Sequence, residues 1–279
     1  MSEITVFTAR HVHTMSDSQP AATAIAVRDG RILEAGTPES LRPWTDKFDV
    51  TVDDRFQDKV VMPGFIDPHL HPSLGAVLLP SYFLTAFDWN LPDRQVSATR
   101  GRDAYLAGLK EAFEREGRNQ EIFITWGYHQ QWHGEVGRTE LNEISGDHPI
   151  IIWHRSFHEV IANDAAIDRM GIERSVLERH PQINLETGRF SETGSKLAVA
   201  QIRDFLFGDS RFIQGLQKLM QVVHRGGHTT VGDMCFGIFD VEQEWTAYKM
   251  MFDHAGIPLR IMMVPRGRPP ENADDDTIA

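Results

Sequence analysis

The stretch Lys59–Pro72, KVVMPGFIDPHLHP, constrains both fold and chemistry more than any other part of the chain. Val60, Val61 and Met62 run into Pro63-Gly64, a pair that marks a sharp entry, and the apolar residues around it suit a strand buried on both faces, as in a parallel sheet. Alternate residues of a strand point to the same side. An extended His69-Leu70-His71 therefore aims both imidazoles one way while Leu70 packs opposite. Two neutral imidazoles converging on one point form half of a catalytic zinc-type site. The spacing alone is not specific, because His11-Val12-His13 repeats it. That pair follows the alternating stretch Glu3–Thr8, the pattern of a half-exposed strand, and reads as surface histidines near a strand end.

The flanks separate the two cases. PGFIDPHLHP closely resembles the signature at the end of the first barrel strand in the amidohydrolase superfamily, with the spacing of amidohydrolase family 3, the branch containing N-substituted formamide deformylase-like enzymes. Further segments carry the same resemblance. Trp126-Gly127-Tyr128 followed by Trp132, then Gly137–Leu141, is similar to the family's segment after the second barrel strand. Asp147–Ile150 and Ser156–Asn163 resemble its third-strand region, where a histidine and an asparagine recur. Thr187–Thr193 resembles a glycine-x-leucine-x-glutamate stretch with phenylalanine in place of leucine, and Gly227–Asp233 a recurrent strand opening with His228 where an aliphatic residue is usual. Nearly all of the chain is covered, against only the first half of a family member.

The resemblance implies an α/β fold: a (β/α)8 TIM-type barrel, partial in this chain, over residues 63–279, preceded by part of a small β-sandwich over residues 1–62. The pattern of elements agrees with this. Asp29-Gly30 is a hairpin signal between Ala24–Val27 and Arg31–Ala35, and Thr37–Ser40 opens a short helix. Asp103–Gly117 is an amphipathic helix with Leu106, Leu109 and Phe113 at helical spacing. Ser195–Arg225 reads as helical with breaks suggested by Gly208 and Gly215, Val241–Ala255 as a helix, and the acidic end Glu271–Asp276 as a solvated tail. Five barrel-like strands are predicted: Phe65–His71, Ile122–Tyr128, Ile150–His154, Thr229–Met234 and Leu259–Val264.

The resemblance also implies hydrolysis of carbon–nitrogen bonds other than peptide bonds, in an amide, N-substituted formamide or cyclic amide, with a divalent metal, zinc, as one or two ions. Its ligands are His69, His71 and Glu192, although Glu192 equally suits a helix start favoured by the dipole. Lys196, the one lysine near that segment, suits a solvated helix face and is not proposed as a bridging ligand. Asp67 is expected behind the ligands, fixing an imidazole tautomer. His158, Asn163 and Trp132 are the substrate-binding candidates, with His129 and His133 as further lining. Asp233 reads as a helix N-cap or as a group facing the site. The general base is expected beyond this half, so the catalytic residue is unknown. The resemblance leaves a rival open: a truncated, non-catalytic relative, or one subunit of a split enzyme.

Composition narrows the partners. A net charge of −12 argues against nonspecific affinity for nucleic acid or an anionic membrane. The single cysteine, Cys235, excludes an internal disulfide and suits a reducing compartment. No apolar run approaches a membrane span, so a cytoplasmic location is expected. The expected partners are a small amide-type substrate and either further copies of the chain or a complementary C-terminal chain. No glycine-rich phosphate loop follows a strand, which weakens a nucleotide-cofactor reading.

Overall fold

The computed structural model describes residues 3–208, 210–254 and 259–266; the acidic stretch Glu271–Asp276 lies outside the described residues. The chain divides into two compact units, Met1–Phe65 and Ile66–Ala279. In the first, β1 (Ile4–His13), β2 (Ala21–Arg28), β3 (Arg31–Gly36), the short α1 (Arg42–Thr45) and β4 (Val50–Val61) build a four-stranded sheet of order β3-β2-β1-β4. β1 and β4 are parallel and the other neighbours antiparallel. The turn between β2 and β3 has φ of 53° at Asp29 and 71° at Gly30, the left-handed pair that a two-residue hairpin demands. Ile4, Val6, Ala24, Ala26 and Leu41 form the small core. Of the expected sandwich, one sheet is present among the described residues. His11 and His13 close β1, as surface histidines near a strand end should.

The second unit opens with β5 (Phe65–Leu70), α2 (Pro72–Leu78), β6 (Tyr82–Phe83) and a short hairpin of β7 (Trp89–Asn90) and β8 (Gln95–Val96). Next come α3 (Arg102–Arg115), β9 (Phe123–Tyr128), α4 (Gln130–His133), α5 (Arg138–Ile144), β10 (Ile150–His154) and β11 (Glu159–Ala162). Two helices, α6 (Asp164–Met170) and α7 (Arg174–Arg179), lead to β12 (Ile183–Asn184) and β13 (Arg189–Ser191). Three further helices follow, α8 (Thr193–Gln201), α9 (Arg203–Phe207) and α10 (Arg211–Arg225), then β14 (His228–Phe236), α11 (Val241–His254) and β15 (Arg260–Pro265).

The predicted strands exist, but they do not share one sheet. β5, β14 and β15 form a three-stranded sheet of order β15-β14-β5, with β14 and β15 parallel. β9 and β10 are parallel to each other and belong to a separate six-stranded sheet, β12-β13-β11-β10-β9-β6, in which β11 folds back antiparallel on β10 with Ile151 opposite Ala162. The five expected strands are therefore present but divided between two sheets; no closed barrel forms among the described residues, and the fold is mixed α/β. The apolar runs of β9 and β10 are explained by burial on both faces. Tyr105, Leu109 and Phe113 of α3 pack with Phe123, Ile150 and Ile152 on one side, while Ile124, Trp126, Ile151 and Trp153 join the larger core on the other.

That larger core reaches the three-stranded sheet through α2 and α10. Phe212, Leu216, Leu219, Met220 and Val223 form the buried stripe of α10 at helical spacing, each large side chain contributing about 1.5–3 kcal/mol by leaving water. Gly215 lies inside this helix and does not break it. A Cβ there would stand 1.8 Å from the Ala76 carbonyl oxygen, so the glycine lets α10 approach the α2 backbone. The break expected at Gly208 is present, and a second interruption falls at Ile202. No helix among the described residues is long and apolar enough to cross a membrane.

Candidate metal centre

β5 delivers His69 near its end, and His71 occupies the N-cap position of α2, whose first residue is Pro72. Proline suits that place because its missing N–H has no partner there in any helix. The Nε2 atoms of His69 and His71 are 3.3 Å apart, with the ring planes at 80°. Two nitrogens each ~2.0–2.1 Å from a zinc ion and separated by the tetrahedral angle stand about 3.3 Å from each other. With both rings protonated at Nδ1, each Nε2 keeps a lone pair that a cation could take; in the other tautomer one Nε2–H donates to its neighbour. The pair therefore fits a divalent metal as two of its ligands. Among the described residues no group of three or more His, Cys, Asp or Glu is placed to hold one.

The surroundings of the pair differ from expectation in detail. Asp67 Oδ1 accepts a hydrogen bond from the backbone N–H of His69 at 3.0 Å, so it fixes the chain between them and not an imidazole. The Nδ1 of His71 is buried with no hydrogen-bond partner among the described residues. Asp233 is no helix cap: it lies within β14, 1% exposed. Its carboxylate accepts from the Tyr248 hydroxyl at 2.8 Å and from Cys235 N–H at 3.1 Å. Burial pushes its carboxyl up, opposed by those two bonds and by the nearby His71.

Glu244 escaped sequence reading altogether. It is fully buried and accepts from Ser73 Oγ, Gly237 N, Phe239 N and Asp240 N. The available signal was its place on the apolar stripe of α11, in register with Ala247, Tyr248 and Met251, where an acid needs a reason.

Glu192 and His158, expected as ligand and substrate residue, meet each other. His158 Nδ1 lies 2.9 Å from Glu192 Oε2, with both side chains more than half exposed. Glu192 is the N-cap residue of α8 with φ 45° and ψ −110°, and Phe157, just before His158, has φ 65°. A side-chain-bearing residue in such a conformation costs about 1–3 kcal/mol and persists where its surroundings impose it. Trp132 is half-buried, 4.9 Å from the Phe87 ring and 4.7 Å from His129, with the Arg155 guanidinium 5.1 Å from its own ring. Asn163 is fully buried: its carbonyl accepts from Ile150 N and Ala166 N, and its amide donates to Ser145 and His148 carbonyls. Those four bonds join the start of α6 to β10 and to the connection between α5 and β10. His133 is also buried, accepting from His129 N and donating to the Thr99 carbonyl, and burial lowers its pKa. Burial, reinforced by the charges of His129, Arg189, Arg155 and His133, pulls His154 down to about 4.

Comparison with known proteins follows the same lines. Over 172 residues the chain is 30% identical to N-substituted formamide deformylase of Arthrobacter pascens, covering 58% of this chain and 28% of that one. It is 26% identical over 162 residues to Protein LONG AFTER FAR-RED 3 of Arabidopsis thaliana, covering 58% and 25%. The fold matches the crystal structure of an uncharacterized metal-dependent hydrolase from Pyrococcus horikoshii OT3 with a TM-score of 0.68 at 17% identity, over 94% of this chain and 48% of that one. The chain thus covers less than half of each of these relatives. Residues 57–275 match the sequence profile of the amidohydrolase family, and with its PGFIDPHLHP motif intact the chain belongs to that family, in the family 3 branch.

Proposed function

We propose that the chain is the metal-binding part of a hydrolase that cleaves carbon–nitrogen bonds other than peptide bonds in small amide-type substrates. The observation that carries this reading is the 3.3 Å approach of the two Nε2 atoms within the family motif. His69 and His71 would hold the ion, and two imidazoles at that separation are compatible with zinc. A metal held there would supply a water of pKa about 7 and a Lewis acid for the scissile carbonyl. Glu192 would be the third ligand of a bound metal, and His158 and Trp132 the groups that would meet substrate. Asn163, read from the sequence as a further substrate-binding residue, would act indirectly, since its side chain is spent on joining the start of β10 to α6.

A second reading has a specific observation in its favour. Among the described residues no third ligand joins the pair, which supports a site completed by a further segment of a longer chain or by a complementary subunit. Both readings keep His69 and His71 as ligands. Elemental analysis of the purified protein tests them: His69→Ala/His71→Ala loses stoichiometric transition metal, whereas His11→Ala/His13→Ala retains it. Equal metal in the two double variants would remove the proposal.

A further inference from the structure

The turn that carries His71 is fastened to a distant helix. Ser73, two residues after His71 in the first turn of α2, donates from Oγ to Glu244 Oε2 at 2.7 Å, with Ser73 2% and Glu244 0% exposed. The same carboxylate accepts from Gly237 N at 2.9 Å, Phe239 N at 2.8 Å and Asp240 N at 3.3 Å, all from the connection between β14 and α11. One helical turn further, Tyr248 donates to Asp233 Oδ2 at 2.8 Å. Residues four apart lie on one helix face, so α11 sends an acceptor to the first turn of α2 and a donor to β14.

A leucine at position 244 would suit the apolar stripe but would leave three backbone N–H groups of the connection between β14 and α11 without their acceptor. The acid instead collects four donors, one of them from the turn next to a candidate ligand. We propose that Ser73, Glu244 and Tyr248 are positioning residues of the metal centre: Glu244, through Ser73, sets the His71 ring against His69, and Tyr248 sets the Asp233 carboxylate beside His71. This rests on the metal-binding reading of His69 and His71. Removing partners that orient metal ligands weakens metal binding by about 10–100-fold.

The test is cobalt(II) titration of the full-length protein, followed by visible absorption, with far-UV circular dichroism confirming that each variant is folded. Ser73→Ala cuts the link from Glu244 to the His71 turn, and Tyr248→Phe cuts the link to Asp233; the Tyr248 hydroxyl also faces Ser73, so the two variants are measured side by side. Each is expected to weaken cobalt(II) binding about tenfold or more and to alter the ligand-field bands. Ser73→Thr, which keeps the hydroxyl, is expected to restore both, a rescue that loss of general stability does not predict. Wild-type affinity and spectrum in both Ser73→Ala and Tyr248→Phe, with binding still abolished by His69→Ala/His71→Ala, would overturn the positioning role and leave the metal reading standing. Cobalt(II) binding that ignores the His69 and His71 substitutions would overturn both.

Discussion

His158 and Glu192 hold each other twice, through the 2.9 Å contact of Nδ1 with Oε2 and through the Glu192 N–H donated to the His158 carbonyl at 2.8 Å. The backbone at Glu192 has φ 45°, a conformation a glycine adopts at little cost. Glu192→Gly is therefore expected to leave the melting temperature unchanged or to raise it, because relief of about 1–3 kcal/mol of strain offsets the lost contact. Activity of the full-length protein should fall at the same time. Calorimetry beside an amidase assay checks this, and a destabilised but fully active variant would show that the strain serves the fold alone.

Trp132 presents an aromatic face beside Phe87 and Arg155. If it meets an apolar N-substituent, Trp132→Ala raises KM for such a substrate about tenfold, roughly 1.4 kcal/mol, with little change in kcat. Steady-state kinetics on paired N-methyl and N-benzyl amides would reveal it. Identical losses for both substrates would place Trp132 outside the pocket.

His154 supplies a pH dependence. Its Nδ1 accepts from Ser156 N–H at 3.1 Å, and its pKa of about 4 in the folded chain compares with about 6.5 for an unfolded histidine. Between those values the unfolded chain binds the proton more readily. The contribution to stability is whole above about pH 6.5 and is lost as pH falls toward 4, by no more than about 3 kcal/mol. Urea midpoints measured across that interval should slope less for His154→Asn than for the wild type; parallel slopes would assign the effect to other groups.

Gly215 allows no side chain, because the atom in the way is the Ala76 backbone carbonyl. Gly215→Ala should destabilise by about 1–3 kcal/mol through overpacking, despite alanine's better helix propensity. Chemical denaturation measures the difference. An unchanged or raised midpoint would mean that α10 slides off α2 without penalty.

Local rules identified much of this fold. The Asp29-Gly30 turn, the stripe of α3 and the histidine pair each depend on neighbours close in sequence, and each is present in the structure. The partnership of strands was not legible. An apolar run such as Ile150–His154 states that both faces are covered but not which strand lies alongside, so the six-stranded sheet could not be told from further barrel strands. Gly215 carried the same ambiguity, since a glycine marks either a break or a close approach. Asp233 and Glu244 derive their meaning from Tyr248, Ser73 and a loop brought in by tertiary packing. The sequence signal for Glu244 was an acid among apolar positions, which names a demand for donors without naming the donors.

The separation of the two sheets also orders events in time. β5 ends at Leu70 and its neighbour β14 begins at His228, and the whole six-stranded sheet is threaded between them. Closing so long a loop before its interior is ordered forfeits chain entropy with few contacts in return. During synthesis the intervening layer can collapse on α3 while β14 is still unmade, and His71 then waits without the helix that fastens its turn. The candidate metal centre is consequently expected to form late in folding. Pulsed hydrogen exchange during refolding should protect Phe123–Tyr128 before Val231–Asp233.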